Sequence, residues 1–442
     1  MATSQIDEAL DNEIIEAPRY SCALGGAYTA ALYTFGTVPV LHSGAGCGLG
    51  QLFGQHYAGG QNTGGPQGTT SSPCSCLVEE HVIFGGEKKL RHLLNSTIEL
   101  MPGDFYVVLS GCVPSLIGDD ADSVVQEFRE KVPIVHVKTA GFTGNSYRGY
   151  DLYFEAVIDQ LLTEQPRQKR LVNLLGIVPS QHPLWKGNLQ VIKQLLNKIG
   201  VEANTIFADR DGLGALRKIS AAELNLVFSP WTGIKTAEKL EERFGTPYEV
   251  ISSVPVGPKD TSEFLRKIGK LLNVPETIVE NVIWEEEWSA YRYTEFAGDL
   301  ILVLLPHVYA GIVADSGTAI SLTRYGANEL GWNPEIIVIT DDPPPEYREA
   351  IVKSLTEGLE SALKPEVVFE ADAYNISQVL SKFTLQVLLA SSLEKYQPNG
   401  EAIYLSVSFP IYDRLILDRT YAGYRGGLAL VEDLARNNAG PL

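Results

Sequence analysis

Short runs of apolar residues, at 38–41, 105–109, 134–137, 171–177, 224–228, 309–314 and 336–339, alternate along the chain with stretches at 184–199, 234–244, 316–330 and 346–363. In the second group the apolar residues recur at helical spacing, whereas the first group reads as buried strands. This alternation predicts an α/β fold: three Rossmann-like, doubly wound domains around largely parallel sheets. The strand-like runs tend to end in Gly, Ser, Pro or Asp, and in open α/β sheets ligands bind beyond such carboxyl ends. Two breaks set the expected limits. TEQPRQKR at 163–170 is a polar linker before a fresh strand, and the long segment 279–305 reads as a helix delivering the chain to the strand at 309. The expected domains are 1–166, with the cysteines, 167–300 and 301–442. HYAGGQNTGGPQGTTSSPCSC at 56–76 is too rich in Gly, Ser, Thr and Pro for a helix or a central strand. It reads as a surface loop or as a loop folded over a site or a partner.

A chain of 442 residues has room for two or three such domains, and 45% hydrophobic residues suit large buried cores. The net charge of −19 argues against nucleic acid and anionic membrane as partners, because phosphate would repel it. The most apolar run, 301–305, is broken by Pro306, His307 and Asp315, far short of the roughly 20 residues a membrane span requires. The acidic start MATSQIDEALDNEIIEAP has no apolar core of a signal peptide, and the cysteine count is odd, so a cytoplasmic protein is expected.

All five cysteines, Cys22, Cys47, Cys74, Cys76 and Cys112, fall in the first quarter, and the last 330 residues have none. Cys22, Cys47 and Cys112 each sit at a turn before a predicted helix, 25 and 65 residues apart, which excludes the CxxC pairs of a zinc ribbon or a bacterial ferredoxin. Nearby glycines let the backbone approach a bulky inorganic core and lend it amides. Helix N-termini favour thiolates and an anionic cluster. Taken alone, these residues leave two readings open: three small buried apolar side chains, or ligands of one shared site. Three thiolates are one short of the four that a cubane takes.

Cys22 with Gly25, HSGAGC ending at Cys47, VIFGGEKKL at 82–90 and GCVPSLIGDD at 111–120 together resemble the nitrogenase component 1 family. TAGFTGNSYRGYD at 139–151, LTRYGANELGW at 322–332 with the following ITDDPPPEYRE, and SFPIYDRLILDRTYAGYRGGLALVEDL at 408–434 extend the resemblance almost end to end. It implies a subunit of three Rossmann-like domains that pairs with a homologous α-type chain in an α2β2 heterotetramer. By motif, Cys22, Cys47 and Cys112 would hold half of an [8Fe-7S] P-cluster at the α–β interface. An ATP-dependent [4Fe-4S] reductase would dock transiently, and the catalytic metal cofactor would lie in the α chain, held by a further Cys and a His. No cysteine follows Cys112, so this chain resembles the β-type subunit.

Departures narrow the expectation. Only 21 residues precede Cys22, LVEEHVIFGG stands at 77–86 where β subunits carry a TED-like motif, and Gly141 aligns with the serine that ligates the oxidised P-cluster in some members. These point to a nitrogenase-like reductase, with C–S cleavage of a methylthio-alkane as the first expected reaction. A dinitrogen-reducing β subunit, a cofactor-assembly scaffold and a tetrapyrrole-type reductase subunit, the last two binding a [4Fe-4S] cluster, are the alternatives.

Other residues carry weaker signals. Cys74 and Cys76 form a CxC that matches no family ligand; metal binding, a redox pair, a cluster contact and two unliganded thiols all fit it. His42 is positioned either to donate to a cluster sulfide or to be satisfied by backbone. Asp119 and Asp120 read as charges at a helix start. GAGCGLG at 44–50 lacks the GxGxxG spacing, and DDPPPEYRE at 341–349 reads as a turn and a helix start.

Overall fold

The computed structural model describes residues 16–17, 19–51, 72–298, 308–396 and 402–438. The acidic start, most of the Gly-rich loop at 56–76 and the apolar run at 301–305 lie outside the described residues.

Among the described residues, twelve strands build three all-parallel sheets. The first contains β1 (Thr37–His42), β2 (Phe105–Ser110) and β3 (Ile134–Lys138) in sequential order. The second contains β4 (Gln168–Leu175), β5 (Glu202–Asn204), β6 (Ala222–Val227) and β7 (Tyr248–Val250), ordered β5-β4-β6-β7. The third contains β8 (Tyr309–Ala314), β9 (Asn333–Ile339), β10 (Glu366–Phe369), β11 (Val387–Ala390) and β12 (Ile403–Ser406), ordered β10-β9-β8-β11-β12. The second and third sheets reverse direction of growth at β4/β6 and β8/β11, the topological switch points of doubly wound sheets. The first has no such reversal among the described residues, yet helices cover both of its faces.

Its strands show why. β1 and β2 are buried along their whole length, as strands sandwiched between helix layers must be. Alternation then sends Val40, Tyr106, Val108 and Ile134 to one core with Leu90 and Leu94 of helix Glu87–Leu100. Leu41, Phe105, Val107, Leu109, Val135 and Val137 go to the other, with helices Ala23–Tyr33 and Ser146–Gln160.

These two helices cross closely. A β-carbon on Gly26 would lie 1.7 Å from the Ser146 carbonyl oxygen, and one on Gly149 would lie 1.9 Å from that of Ala23. Only glycine permits this approach, and it fixes the start of the first helix, where Cys22 sits. The predicted helix at 346–363 is shorter than expected: it runs Pro345–Thr356, and the chain then turns through Gly358 at φ +69°. The segment read as helical from 279 is Glu276–Ala297. No helix among the described residues is long and apolar enough to cross a membrane.

Candidate functional site

The carboxyl ends of the three strands of the first sheet deliver one group of residues. β1 and β2 end in register at His42 and Ser110, and β3 ends at Lys138 beside Ser110. The chain leaves β1 into Ser43, Gly44 and a short helix, Ala45–Gln51, with Cys47 in its first turn. Cys47 is therefore inside a helix, not at a turn before it as expected. β2 leads through Gly111 to Cys112, the first residue of helix Cys112–Ile117. β3 leads to Thr139, Ala140 and Gly141. Cys22 comes from elsewhere: it is the N-cap of helix Ala23–Tyr33 and is docked by the Ala23 N–H on Gly144 O (2.9 Å), the Ser146 N–H on Ser21 O (2.7 Å) and a bridge to Asn145.

Of the three thiols predicted as ligands, those of Cys22 and Cys112 meet beside Gly141, and Cys47 lies within electrostatic reach of Cys22. The Gly141 N–H donates to Cys112 Sγ at 3.0 Å. A β-carbon on Gly141 would stand 3.1 Å from Cys112 Sγ and 3.6 Å from Cys22 Sγ, so both sulfurs face space that only a glycine leaves free. Burial pushes the Cys22 thiol up, the amides of Leu24 and Gly25 oppose it, and charge on Cys112 and Cys47 pushes it further. All three sulfurs thus share one electrostatic neighbourhood, and none is in a disulfide. Among the described residues no three His, Cys, Asp or Glu side chains stand close enough for a single metal ion. Cys22 and Gly141 also line one end of a cleft of about 700 Å³ that runs away from the other two thiols, past Asn145 and Arg148 to Trp231, Lys235 and Arg348.

The surrounding polar groups hold this frame and do not reach into it. His42 is fully buried, with Nδ1 3.1 Å from Ser75 Oγ and Nε2 3.1 Å from Asp119 Oδ2. Burial pushes its imidazole down despite the pull of Asp119. Both ring nitrogens are taken by side chains, which overturns both expected roles, donation to a sulfide and satisfaction by backbone. Asp119 also accepts the Gly86 N–H at 2.8 and 3.0 Å, tying the FGG turn to β1 and to the Cys112 helix. Asp120 alone plays the helix-start part, accepting the Ser123 N–H at 3.0 Å. Ser110 Oγ meets His136 Nε2 at 2.7 Å, and His136 Nδ1 meets Asp122 at 2.7 Å. Those bonds, first from His136 and then from Lys138, hold the Asp122 carboxyl well below the usual range. The sequence reading missed His136 and the Gly141 amide. Its one available signal was TAGFTG directly after a predicted strand.

Around the thiols the surface is apolar. Helix Glu79–Phe84 packs on the Cys112 helix. Ile83, Phe84, Leu116 and Phe142 are 73%, 81%, 74% and 65% exposed. Large exposed apolar side chains concentrated in one patch are the mark of an interaction or binding surface.

A family model described as nitrogenase component 1 type oxidoreductase matches residues 22–438. The chain is 26% identical to the nitrogenase molybdenum-iron protein beta chain of Frankia alni, covering 94% of this chain and 81% of that one. It is 22% identical to the nitrogenase iron-iron protein beta chain of Rhodobacter capsulatus, with 95% and 92% covered. The nitrogenase iron-molybdenum cofactor biosynthesis protein NifE of Clostridium pasteurianum is 24% identical, with 81% and 75% covered. Among solved structures, nitrogenase Cp1 at pH 6.5 superposes with a TM-score of 0.78 at 19% identity, over 97% of this chain and 96% of that one, a likeness of fold.

Proposed function

Because this chain belongs to the nitrogenase component 1 type oxidoreductase family, we propose that it is the β-type subunit of a nitrogenase-like reductase whose Cys22, Cys47 and Cys112 hold half of an interfacial [8Fe-7S] P-cluster. The observation that carries this reading is the thiol group itself: the free thiols of Cys22 and Cys112 around a glycine-made space, Cys47 within electrostatic reach of Cys22, and a backbone amide already donating to one sulfur. Thiol donors with a backbone amide directed at one sulfur suit the chemistry of an iron–sulfur cluster. When bound, such a cluster supplies one-electron relay between a reductase and a catalytic centre.

The residues of this chain do the rest. Cys22, Cys47 and Cys112 would supply thiolates. The Gly141 N–H would stabilise negative charge on sulfur, and Asp119 would keep His42 and the FGG turn from moving against the Cys112 helix. The apolar rim of Ile83, Phe84, Leu116 and Phe142 would exclude water once covered by a homologous α-type subunit in an α2β2 assembly. An ATP-dependent [4Fe-4S] reductase would dock transiently. The catalytic cofactor would reside in the α-type chain, since no cysteine follows Cys112. We assign reductive C–S cleavage of a methylthio-alkane as the reaction. Gly141, standing where a ligating serine is expected, supports that assignment over dinitrogen reduction, because glycine offers no oxygen ligand.

The similarity to NifE supports a second reading, a cofactor-assembly scaffold holding one [4Fe-4S] cluster. Iron counting on the anaerobically purified complex with its partner separates the two. An eight-iron signature per heterodimer in Mössbauer and EPR spectra, lost on Cys47→Ala, is expected. Four irons per heterodimer would transfer the chain to the scaffold or tetrapyrrole-reductase class. An eight-iron signal that survives Cys47→Ala would overturn the ligand set.

A further inference from the structure

Cys74 and Cys76 take no part in the thiol group above, yet the chain fixes them in place. Residues 73–77 run beside the carboxyl end of β1: the Leu41 N–H donates to Pro73 O at 2.8 Å, the Ser75 N–H to Leu41 O at 2.8 Å and the Leu77 N–H to Ser43 O at 2.9 Å. Ser75, between the two cysteines, is buried, and its Oγ accepts the Ser43 N–H at 3.0 Å. Its neighbours on either side therefore cannot drift.

Within this frame the sulfurs are directed at each other. Cys74 Sγ accepts the Cys76 N–H at 3.3 Å, which puts it over a nitrogen three bonds from the Cys76 sulfur. The two thiols also interact side chain to side chain. Cys76 has φ +47°, a left-handed conformation uncommon outside glycine, and its carbonyl is held by Lys89 Nζ at 2.9 Å. Cys76 is exposed and Cys74 is half-buried, 3.6 Å from Ser43 O and 3.8 Å from Gly44 O. Burial pushes the Cys74 thiol up, so the exposed sulfur is the one a reagent meets first.

We propose that Cys74 and Cys76 are a redox-active dithiol that closes to an intrachain disulfide by exchange with a small-molecule disulfide. Cys76, having given its proton to solvent, attacks one sulfur of R–S–S–R; a Cys76–S–S–R bond forms and RS⁻ leaves. Cys74, likewise deprotonated, attacks the Cys76 sulfur, the intrachain S–S bond forms and the second RS⁻ leaves. Two protein thiols are oxidised, one small disulfide is reduced to two thiols, and the two protons return to the leaving thiolates. Excess small thiol reverses both steps. Closure draws Cys74 Sγ away from the Ser43 and Gly44 carbonyls, the turn that runs into the Cys47 helix. The oxidation state of this pair is therefore felt one turn from a proposed cluster ligand, although the dithiol chemistry itself does not depend on that cluster.

The test uses the full chain, purified anaerobically and equilibrated with mixtures of glutathione and glutathione disulfide. The samples are then acid-quenched, alkylated and analysed by peptide mass. As the disulfide fraction rises, the peptide carrying both residues should lose two hydrogens and its alkylation, without a lasting glutathione adduct, and dithiothreitol should reverse this. Cys74→Ser should accumulate a stable mixed disulfide at Cys76, while in Cys76→Ser the remaining Cys74 should react about tenfold more slowly. Full alkylation of both thiols at every ratio, or a wild-type chain stopping at mixed disulfides, would overturn the proposal.

Discussion

At Gly141 a single missing β-carbon keeps two sulfurs apart from protein and leaves their space to something else. A methyl there would stand 3.1 Å from Cys112 Sγ and 3.2 Å from Cys22 Cβ, closer than packed atoms normally sit. Its backbone is not left-handed, so a larger residue meets a spatial obstacle and no conformational one. Gly141→Val should therefore keep the fold, within about 1 kcal/mol by denaturant titration, while iron per chain falls by at least half. Gly141→Ala should fall between the two. Wild-type iron content in the valine variant would mean that the space beside Cys112 is not where a cluster sits. The cysteines themselves were legible in the sequence, because sulfur chemistry is written in residue type and the flanking glycines mark close approach. His42 was not legible: its two partners, Ser75 and Asp119, lie 33 and 77 residues away. A histidine's role is set by what faces both ring nitrogens.

Helices Ala23–Tyr33 and Ser146–Gln160 place Cys22 over the sheet, and the contact between them is backbone on backbone. Gly26→Ala would drive a methyl to 1.7 Å from the Ser146 carbonyl oxygen, which no rotamer can relieve. The helices must separate, at a cost of about 1–3 kcal/mol by analogy with overpacked cores. The Ser146 N–H bond to Ser21 O, which docks the residue before Cys22, should weaken with them. A lowered denaturation midpoint together with faster alkylation of Cys22 is expected; an unchanged midpoint would show that the crossing is not tight. At this scale the sequence was most informative where strands were longest. β1, β2, β8 and the second half of β9 are largely apolar runs because both faces are covered, and the runs themselves locate these strands. β5 and β7, at three residues each, carry too few positions to show any period. The helix expected to reach 363 stops at Thr356 because the turn that ends it rests on one left-handed glycine inside a stretch of good helix formers.

The three sheets meet at a buried carboxylate that no local pattern could have marked. Asp341 follows β9; its Oδ2 accepts the Trp231 indole N–H at 2.7 Å from the loop after β6, and its carbonyl accepts from Asn145 Nδ2 at 3.1 Å, beyond β3. Residues 145, 231 and 341 become neighbours only when all three sheets are assembled, which is why the sequence showed three units and not their junction. The junction is electrostatically costly. Asp341 Oδ1 and Asp315 Oδ2 are buried without a partner, and burial followed by the nearby Asp315 charge pushes the Asp341 carboxyl up to about 6. The sign follows from linkage: below the ordinary value of 3.8 the group is protonated folded or unfolded, and between there and about 6 only the folded chain keeps the proton. This residue therefore lowers stability as pH rises through that window, and its penalty is constant above it. Asp341→Asn keeps the acceptor for Trp231 and removes the charge. Its stability relative to wild type should rise by about 1–2 kcal/mol between about pH 5 and about pH 8, measured by denaturant titration at both. Asp315 is the internal control. Its carboxyl is held below its ordinary value: burial raises it, but the charge and hydrogen bond of His182 outweigh that. Neutralising Asp315 should thus cost stability near pH 8, opposite to Asp341. If both variants shift in the same direction with pH, the proton belongs to the pair as a whole and not to Asp341.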